Sequence, residues 1–91
     1  MAMIAVWHKV DGENVVAALQ EAGEKLNGAE GEVLLDFSSV RRIDAGALRE
    51  MEKLAATADG KAVKIVLCGV NVGIYKVLKL MKLAPRFSFR T

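Results

Sequence analysis

The chain has 91 residues, which fits one small domain, and 53% of them are hydrophobic, enough for a single core. Its net charge of +2 is too small to favour nucleic acid as a partner. The single cysteine, Cys68, excludes an internal disulfide and a cysteine-built zinc site, which fits a reducing cytosol. The N-terminus lacks the basic region of a signal peptide, and no apolar run reaches the roughly 20 residues that cross a bilayer. We therefore expect a cytoplasmic protein without a membrane span.

The first part of the chain changes from a strand pattern to a helix pattern and back. Residues 3–9 alternate with period two, which predicts a first strand. From Asn14 the apolar residues recur at helical spacing, with Asn14 as the N-cap and Asn27-Gly28 as a left-handed end. The apolar run at 33–36 predicts a second strand with both faces covered.

The middle of the chain repeats this alternation. Asp44 is placed to cap a helix over about residues 45–58, which Asp59-Gly60 is expected to end. Residues 63–68 are short and mostly apolar, which predicts a third strand.

The last part contains a third helix and a fourth strand. Asn71 is expected to cap the helix and Pro85 to end it, before the alternating segment 87–89. The helix residues predicted to line the core are Ile74, Val77, Leu78 and Met81. The order βαβαβαβ predicts an α/β fold: a mainly parallel sheet of about four strands with about three helices packed on it.

Charge is distributed unevenly along the chain. Residues 1–40 hold seven acids and two bases, whereas residues 72–91 hold five bases and no acid. A basic segment of this kind could meet an acidic partner or anionic lipid. The alternative is an ordinary solvated helix face, because isolated lysines at helical spacing are common surface residues.

The strand-to-helix junction over residues 33–48 is the candidate functional region. Such a junction presents backbone N–H groups and the positive end of a helix dipole at the surface. No residue pattern indicates a catalytic site. His8 is the only histidine and does not by itself make a catalytic triad or a metal site. The glycine-containing segment 69–73 lacks the Lys-Ser/Thr ending of a P-loop. We expect no enzyme activity, no cofactor and no metal site.

Several segments together resemble the STAS domain, which is named for sulfate transporters and anti-sigma factor antagonists. They are Asp36, Ile43-Asp44-Ala45-Gly46-Ala47-Leu48, Gly69-Val70-Asn71 and Leu78-Lys79-Leu80-Met81-Lys82-Leu83. The similarity covers about residues 32–87. It implies a small stand-alone bacterial member, one STAS-like domain over residues 1–91, that regulates transcription by binding a protein.

The resemblance also implies a kinase partner that docks on the junction and phosphorylates a serine at the helix start. In anti-sigma factor antagonists the motif there reads Asp-Ser-Ser-Gly-Leu, but this chain has Asp44-Ala45-Gly46-Ala47-Leu48. Gly46 takes the acceptor position and has no hydroxyl, so the usual phosphoswitch is absent. Ser38 and Ser39 are the remaining candidates for phosphorylation, with an ordinary role as polar turn residues as the alternative.

A second branch of the family fits as well. The cytoplasmic STAS subunit of a phospholipid-trafficking ABC transporter has Asp-Thr-Gly-Gly-Leu at the junction, and Gly46 matches its central glycine. The later Gly69-Val70-Asn71, Tyr75 and Lys79-Leu80 also resemble that branch. The partner is then either a serine kinase-like anti-sigma factor or a transporter ATPase, and a homodimer is left open.

We expect the partner-binding residues to lie in the loop before the second helix and in that helix's first turns. For Asp44, the alternative is a role as a helix cap only. For Arg41 and Arg42, the alternative is a solvated pair that contacts no partner. The predicted set is Ser38, Ser39, Arg41, Arg42, Asp44, Ala45, Gly46, Ala47, Arg49 and Glu50.

Overall fold

A computed structural model of the protein describes residues 5–28 and 31–90. Within them, four strands and three α-helices alternate along the chain, with a short 3-10 helix, Ala84–Arg86, before the last strand. Their bounds are β1 Ala5–Lys9, α1 Val15–Leu26, β2 Glu32–Asp36, α2 Ala45–Lys61, β3 Lys64–Cys68, α3 Val72–Leu80 and β4 Ser88–Arg90. The predicted α/β order is confirmed, although residues 3 and 4 of the predicted first strand lie outside the described residues.

The four strands form one parallel sheet in the order β1-β2-β3-β4. Right-handed crossovers between neighbours in such a sheet place all the helices on one face. The register sets Leu35 beside Leu67 on the helix-covered face and Leu34 beside Val66 on the opposite face. All four side chains are buried, so the prediction that the second strand is covered on both faces is confirmed.

The core lies between the sheet and the helices and is mostly aliphatic. Alternate residues of β2 and β3 face it, and each helix contributes one apolar stripe. Its fully buried large side chains include Leu19, Leu26, Leu35, Phe37, Met51, Leu67, Ile74 and Leu78.

α1 begins after Asn14 and ends before Asn27 as expected, but the expected capping interactions are absent at both ends. The Asn14 side chain makes no capping hydrogen bond; instead the Asp11 carboxylate accepts the Glu13 N–H at 2.9 Å. This Asx turn orders the chain before the helix and leaves the cap position without a side-chain bond. At the other end, Asn27 stays right-handed, and its N–H bonds to carbonyls of the last turn.

The second helix continues beyond its expected end at Asp59-Gly60. Both residues lie on the exposed side of the helix, where Asp59 forms an ion pair with Arg86 at 3.1 Å. The helix ends instead at Lys61, and Ala62 after it adopts a left-handed conformation with φ of 56°. The Val63 N–H then donates to the Ala58 carbonyl, which turns the chain into β3.

The third helix also departs from prediction. Ile74 and Leu78 are buried as expected, but Met81 follows the last helical residue and is 50% exposed, so its predicted place in the core was wrong. The helix stops at Leu80, and Pro85 lies in the 3-10 helix that follows. The reason for the early end is Lys82, whose positive φ of 60° breaks the helical path.

The left-handed residue at the end of α2 predicts a stabilising substitution. Ala62→Gly should raise the free energy of unfolding by about 0.5–1 kcal/mol, because glycine carries no Cβ penalty at positive φ. The control, Ala56→Gly on the exposed face of the same helix, should lower it by about 1 kcal/mol. Urea unfolding followed by circular dichroism measures both, and the same sign for the two variants would contradict the assignment.

Candidate functional site

The loops after β1, β2 and β3 meet at the carboxyl edge of the sheet. Residues 10–14, 37–44 and 69–71 connect these strands to the starts of α1, α2 and α3. In open parallel sheets this edge is where binding groups gather, because strand ends and helix N-termini converge there. The candidate site is built from these carboxyl-edge loops.

The central loop, residues 37–44, is anchored by its apolar residues. Phe37 and Val40 are buried in the core. The Phe37 N–H donates to the Cys68 carbonyl at 2.8 Å, and the Val40 N–H donates to the Phe37 carbonyl at 2.9 Å. Ser38 and Ser39 are therefore turned outward between two inward anchors.

Both serines take part in bonds within the loop region. The Ser38 N–H donates to Asp36 Oδ1 at 2.9 Å, and the Ser39 hydroxyl donates to the Val10 carbonyl at 3.0 Å. The Ser38 N–H and then its hydroxyl hold the pKa of Asp36 below its ordinary value, with a smaller contribution from the charge of Lys9. Burial opposes this shift and is outweighed. These bonds match the turn role that was the alternative for both serines.

Two glycines allow the loops to approach one another. A Cβ added to Gly12 would lie 2.0 Å from the Ser39 carbonyl oxygen, so the backbones of the first and second loops are in direct contact. Gly69 has a φ of +71°, and a Cβ there would come within about 3.2 Å of the Ser38 backbone. The three carboxyl-edge loops thus hold one another in place.

Asn71 joins the third loop to the second. Its Oδ1 accepts the Ile74 N–H at 2.8 Å, which confirms the predicted cap of α3. Its Nδ2 donates to the carbonyls of Val40 and Arg41 at 3.3 and 3.0 Å, a role that sequence reasoning missed. The bridge spans about thirty residues of chain, so no local pattern could reveal it.

The start of α2 is partly accessible. Asp44 Oδ1 accepts the Ala47 N–H at 2.8 Å, which confirms the predicted cap. Asp44 and Ala45 are exposed and Gly46 is half-buried, but Ala47 is only 1% exposed. The Ala47 side chain lies in the core, so its predicted place in a partner-binding surface is corrected: α2 turns this residue towards the sheet.

Arg41 and Arg42 are exposed at the end of the second loop. None of the ion pairs found among the described residues includes either arginine. Both line a groove of about 780 Å³, and a second groove of about 400 Å³ follows Arg42 towards the start of α2. The other residues of the larger groove are Lys9, Asp11, Gly12, Glu13 and Ser39.

Lys9, Asp11 and Glu13 were not among the predicted site residues. The signal that could have found them is topological, because the first loop of a parallel sheet ends beside the second one. They add one base and two acids to the two arginines. The groove is therefore mixed in charge, with its two arginines on the side of α2.

Arg49 and Glu50 belong to different surroundings. Arg49 is exposed on α2. Glu50 is half-buried, forms an ion pair with Lys53 at 3.3 Å, and lines a separate groove of about 300 Å³ between α1 and α2. The structure therefore does not bring Glu50 together with the carboxyl-edge loops.

The remaining reactive side chains have structural surroundings. Buried His8 donates through Nε2 to the Ala18 carbonyl at 3.0 Å and accepts from Lys25 Nζ at 2.9 Å, since a lysine ammonium can only donate. No group of three or more potential metal ligands occurs within residues 5–28 and 31–90. Over the same residues, no helix is both long and apolar enough to cross a bilayer.

A family model described as "Mlab, STAS domain" matches residues 4–85. The chain belongs to this STAS family. No curated protein matches it in a sequence comparison. The resemblance inferred from the junction motif is confirmed, and it extends towards the N-terminus through β1 and α1.

Solved structures show the same STAS fold. A candidate anti-sigma factor antagonist from Thermotoga maritima aligns with a TM-score of 0.76 at 19% identity, covering 99% of this chain and 84% of that one. A sulfate transporter family protein from Wolinella succinogenes aligns with a TM-score of 0.76 at 15% identity, covering 98% of this chain and 80% of that one. An NMR structure of the Thermotoga protein aligns with a TM-score of 0.69 at 18% identity, covering 97% of this chain and 71% of that one. At these low sequence identities, the alignments show only that the folds are similar.

The contact between the first and second loops of this STAS domain predicts a steric effect. Gly12→Ala should lower the free energy of unfolding by about 1–3 kcal/mol, because the new methyl group meets the Ser39 carbonyl. Gly60→Ala is the matched control: nothing lies within 4 Å of its Cβ, and it should raise stability by about 0.5–1 kcal/mol. Urea titration of both variants tests this, and a neutral Gly12→Ala would disprove the contact.

The lowered pKa of Asp36 predicts an acid-dependent contribution to stability. The ionised carboxylate stabilises the fold above its ordinary pKa of 3.8, and this contribution is lost as pH falls through the lower folded value. The difference in unfolding free energy between wild type and Asp36→Asn should therefore shrink below about pH 4. The matched control is Glu52→Gln, which removes a carboxylate from the exposed face of α2. An Asp36→Asn difference that stays constant down to about pH 2 would contradict the prediction.

Proposed function

We propose that this STAS domain, over residues 1–91, is a cytoplasmic regulatory module that binds a protein partner through loop 37–44 and the start of α2. The proposal rests on the exposed side chains of Arg41 and Arg42 and on the rigid loop that carries them. Their loop is held rigidly by its backbone, while both side chains are exposed and join no ion pair among the described residues. Arginine is favoured at interfaces, and a preorganised loop loses little conformational entropy on binding.

The proposed module resembles an anti-sigma factor antagonist that lacks the usual phosphoacceptor. Ala45 and Gly46 stand at the helix start and carry no hydroxyl. A phosphate placed there would add about −1.5 to −2 charges beside Asp44, but this chain offers no oxygen to carry it. Binding is then governed by the concentration of the partner. The proposed protein is not an enzyme and needs no cofactor.

A second candidate is an accessory subunit of a phospholipid-trafficking ABC transporter. The description of the matching family as "Mlab, STAS domain" favours it, as do Gly46 and the segment Gly69-Val70-Asn71. Both candidates use the same surface, because the resemblance implies a partner contact at this junction in both branches. They differ in the partner, which would be a kinase-like anti-sigma factor or a transporter ATPase.

Crowding the start of α2 should abolish partner binding without unfolding the protein. At Gly46 an added Cβ meets only ordinary contacts, at 3.4 Å from Asp44 Oδ1 and 3.5 Å from Val16 Cγ2, so Gly46→Arg should fold. The matched control is Gly60→Arg near the other end of the same helix, where the space is open. Tagged wild type and Gly60→Arg should retain the partner from native lysate, and Gly46→Arg should retain less than a tenth of it, a loss of about 1.4 kcal/mol or more.

Mass spectrometry of the retained protein separates the two candidates. A kinase-like protein supports the anti-sigma role, and an ATPase supports the transporter role. Equal retention by Gly46→Arg and wild type, with both variants folded by circular dichroism, would refute this surface as the binding site.

A further inference from the structure

Helix α3 carries apolar side chains on two opposite faces. Ile74 and Leu78 are buried against the core, whereas Val72, Tyr75 and Leu80 are 69%, 41% and 80% exposed. Positions i, i+3 and i+8 fall on one side of a helix, so the three exposed residues form an outer stripe. Single exposed apolar residues are ordinary, but a stripe on a helix that already buries its other face is not explained by folding.

The same outer side carries unpaired lysines. Lys76 and Lys79 occupy positions i+4 and i+7 from Val72, and Lys82 follows the helix; all three are exposed. The ion pairs among the described residues include none of these lysines, while Arg86 on the neighbouring 3-10 helix is paired with Asp59. Residues 72–91 contain no acid. We call Val72, Tyr75, Lys76, Lys79 and Leu80 the α3 outer face.

Aromatic rings border this face on the side of β4. Tyr75 and Phe89 pack edge to face with centroids 5.1 Å apart. A groove of about 430 Å³ runs along the pair and is lined by Lys79 and Lys82. Beyond the groove, Leu80 and Met81 are consecutive and exposed, and a lysine precedes and follows them. Leu80, the most exposed large apolar side chain among the described residues, is thus flanked by positive charge together with Met81.

We propose that the α3 outer face binds the surface of an anionic phospholipid bilayer. Lysine is depleted from the cores of protein–protein interfaces, which disfavours a protein on this face. Lysines beside exposed leucine and tyrosine suit a headgroup layer instead, because their stems lie along apolar surface while the ammonium groups meet phosphates. A second copy docked through the same face would bring like charges together.

Vesicle sedimentation at low ionic strength tests the proposal. Wild type should bind vesicles of equal parts phosphatidylglycerol and phosphatidylcholine, remain free with phosphatidylcholine alone, and be released by high salt. Lys76→Gln/Lys79→Gln should lower the partition coefficient about 25-fold, since each lysine near an anionic surface contributes about fivefold. Leu80→Asn should lower it about tenfold at unchanged charge.

The matched control is Lys53→Gln/Lys61→Gln on α2, which removes the same charge from another exposed surface. It should bind like wild type. Equal losses in both double variants would show that vesicle binding depends on net charge alone, which would overturn the proposal. Absence of wild-type binding to the anionic vesicles would also overturn it, as would capture of an acidic protein by this face without vesicle binding. The α3 outer face shares no residue with loop 37–44 or α2, so either proposal can fail alone.

Discussion

The backbone contact between Gly12 and Ser39 is the constraint on which the carboxyl edge of this domain depends. With no side chain at Gly12, the first loop lies directly against the second, and the Ser39 hydroxyl can reach the Val10 carbonyl. Asn71 holds the same loop from the other side through two carbonyls. Loop 37–44 is therefore fixed by neighbours on both sides, although it is an exposed connection without regular secondary structure. Rigidity of this kind lowers the entropy lost on binding.

This rigidity changes how the start of α2 can act. Asp44 already accepts the Ala47 N–H, so that amide is occupied within the helix. The proposed recognition at this helix start therefore rests more on side chains than on free backbone donors. Arg41 and Arg42 are the side chains proposed to contact the partner, and their loop is held through its carbonyls and not through their charged groups. Ala45 and Gly46 at this helix start carry no hydroxyl.

The fold also separates two chemically different surfaces. Loop 37–44 and the start of α2 combine arginines with nearby acids in grooves, a mixture suited to a protein. The α3 outer face combines lysines with exposed apolar residues and no acid, a mixture suited to headgroups. The two surfaces meet where Asn71, which braces the loop, precedes Val72. The net charge of the whole chain is small, but acidic and basic side chains are distributed differently on the two surfaces.

The sequence by itself determined the features that depend on neighbouring residues. Strand and helix periods predicted the order of elements, and Asp44 and Asn71 were recognised as caps because a capping bond spans only three residues. Tertiary structure decided the rest. Asp59 pairs with the distant Arg86 and lies within α2 instead of ending it. The Asn71 side chain bonds to two carbonyls about thirty residues earlier in the chain. Contacts between residues far apart in the chain leave no periodic trace in it.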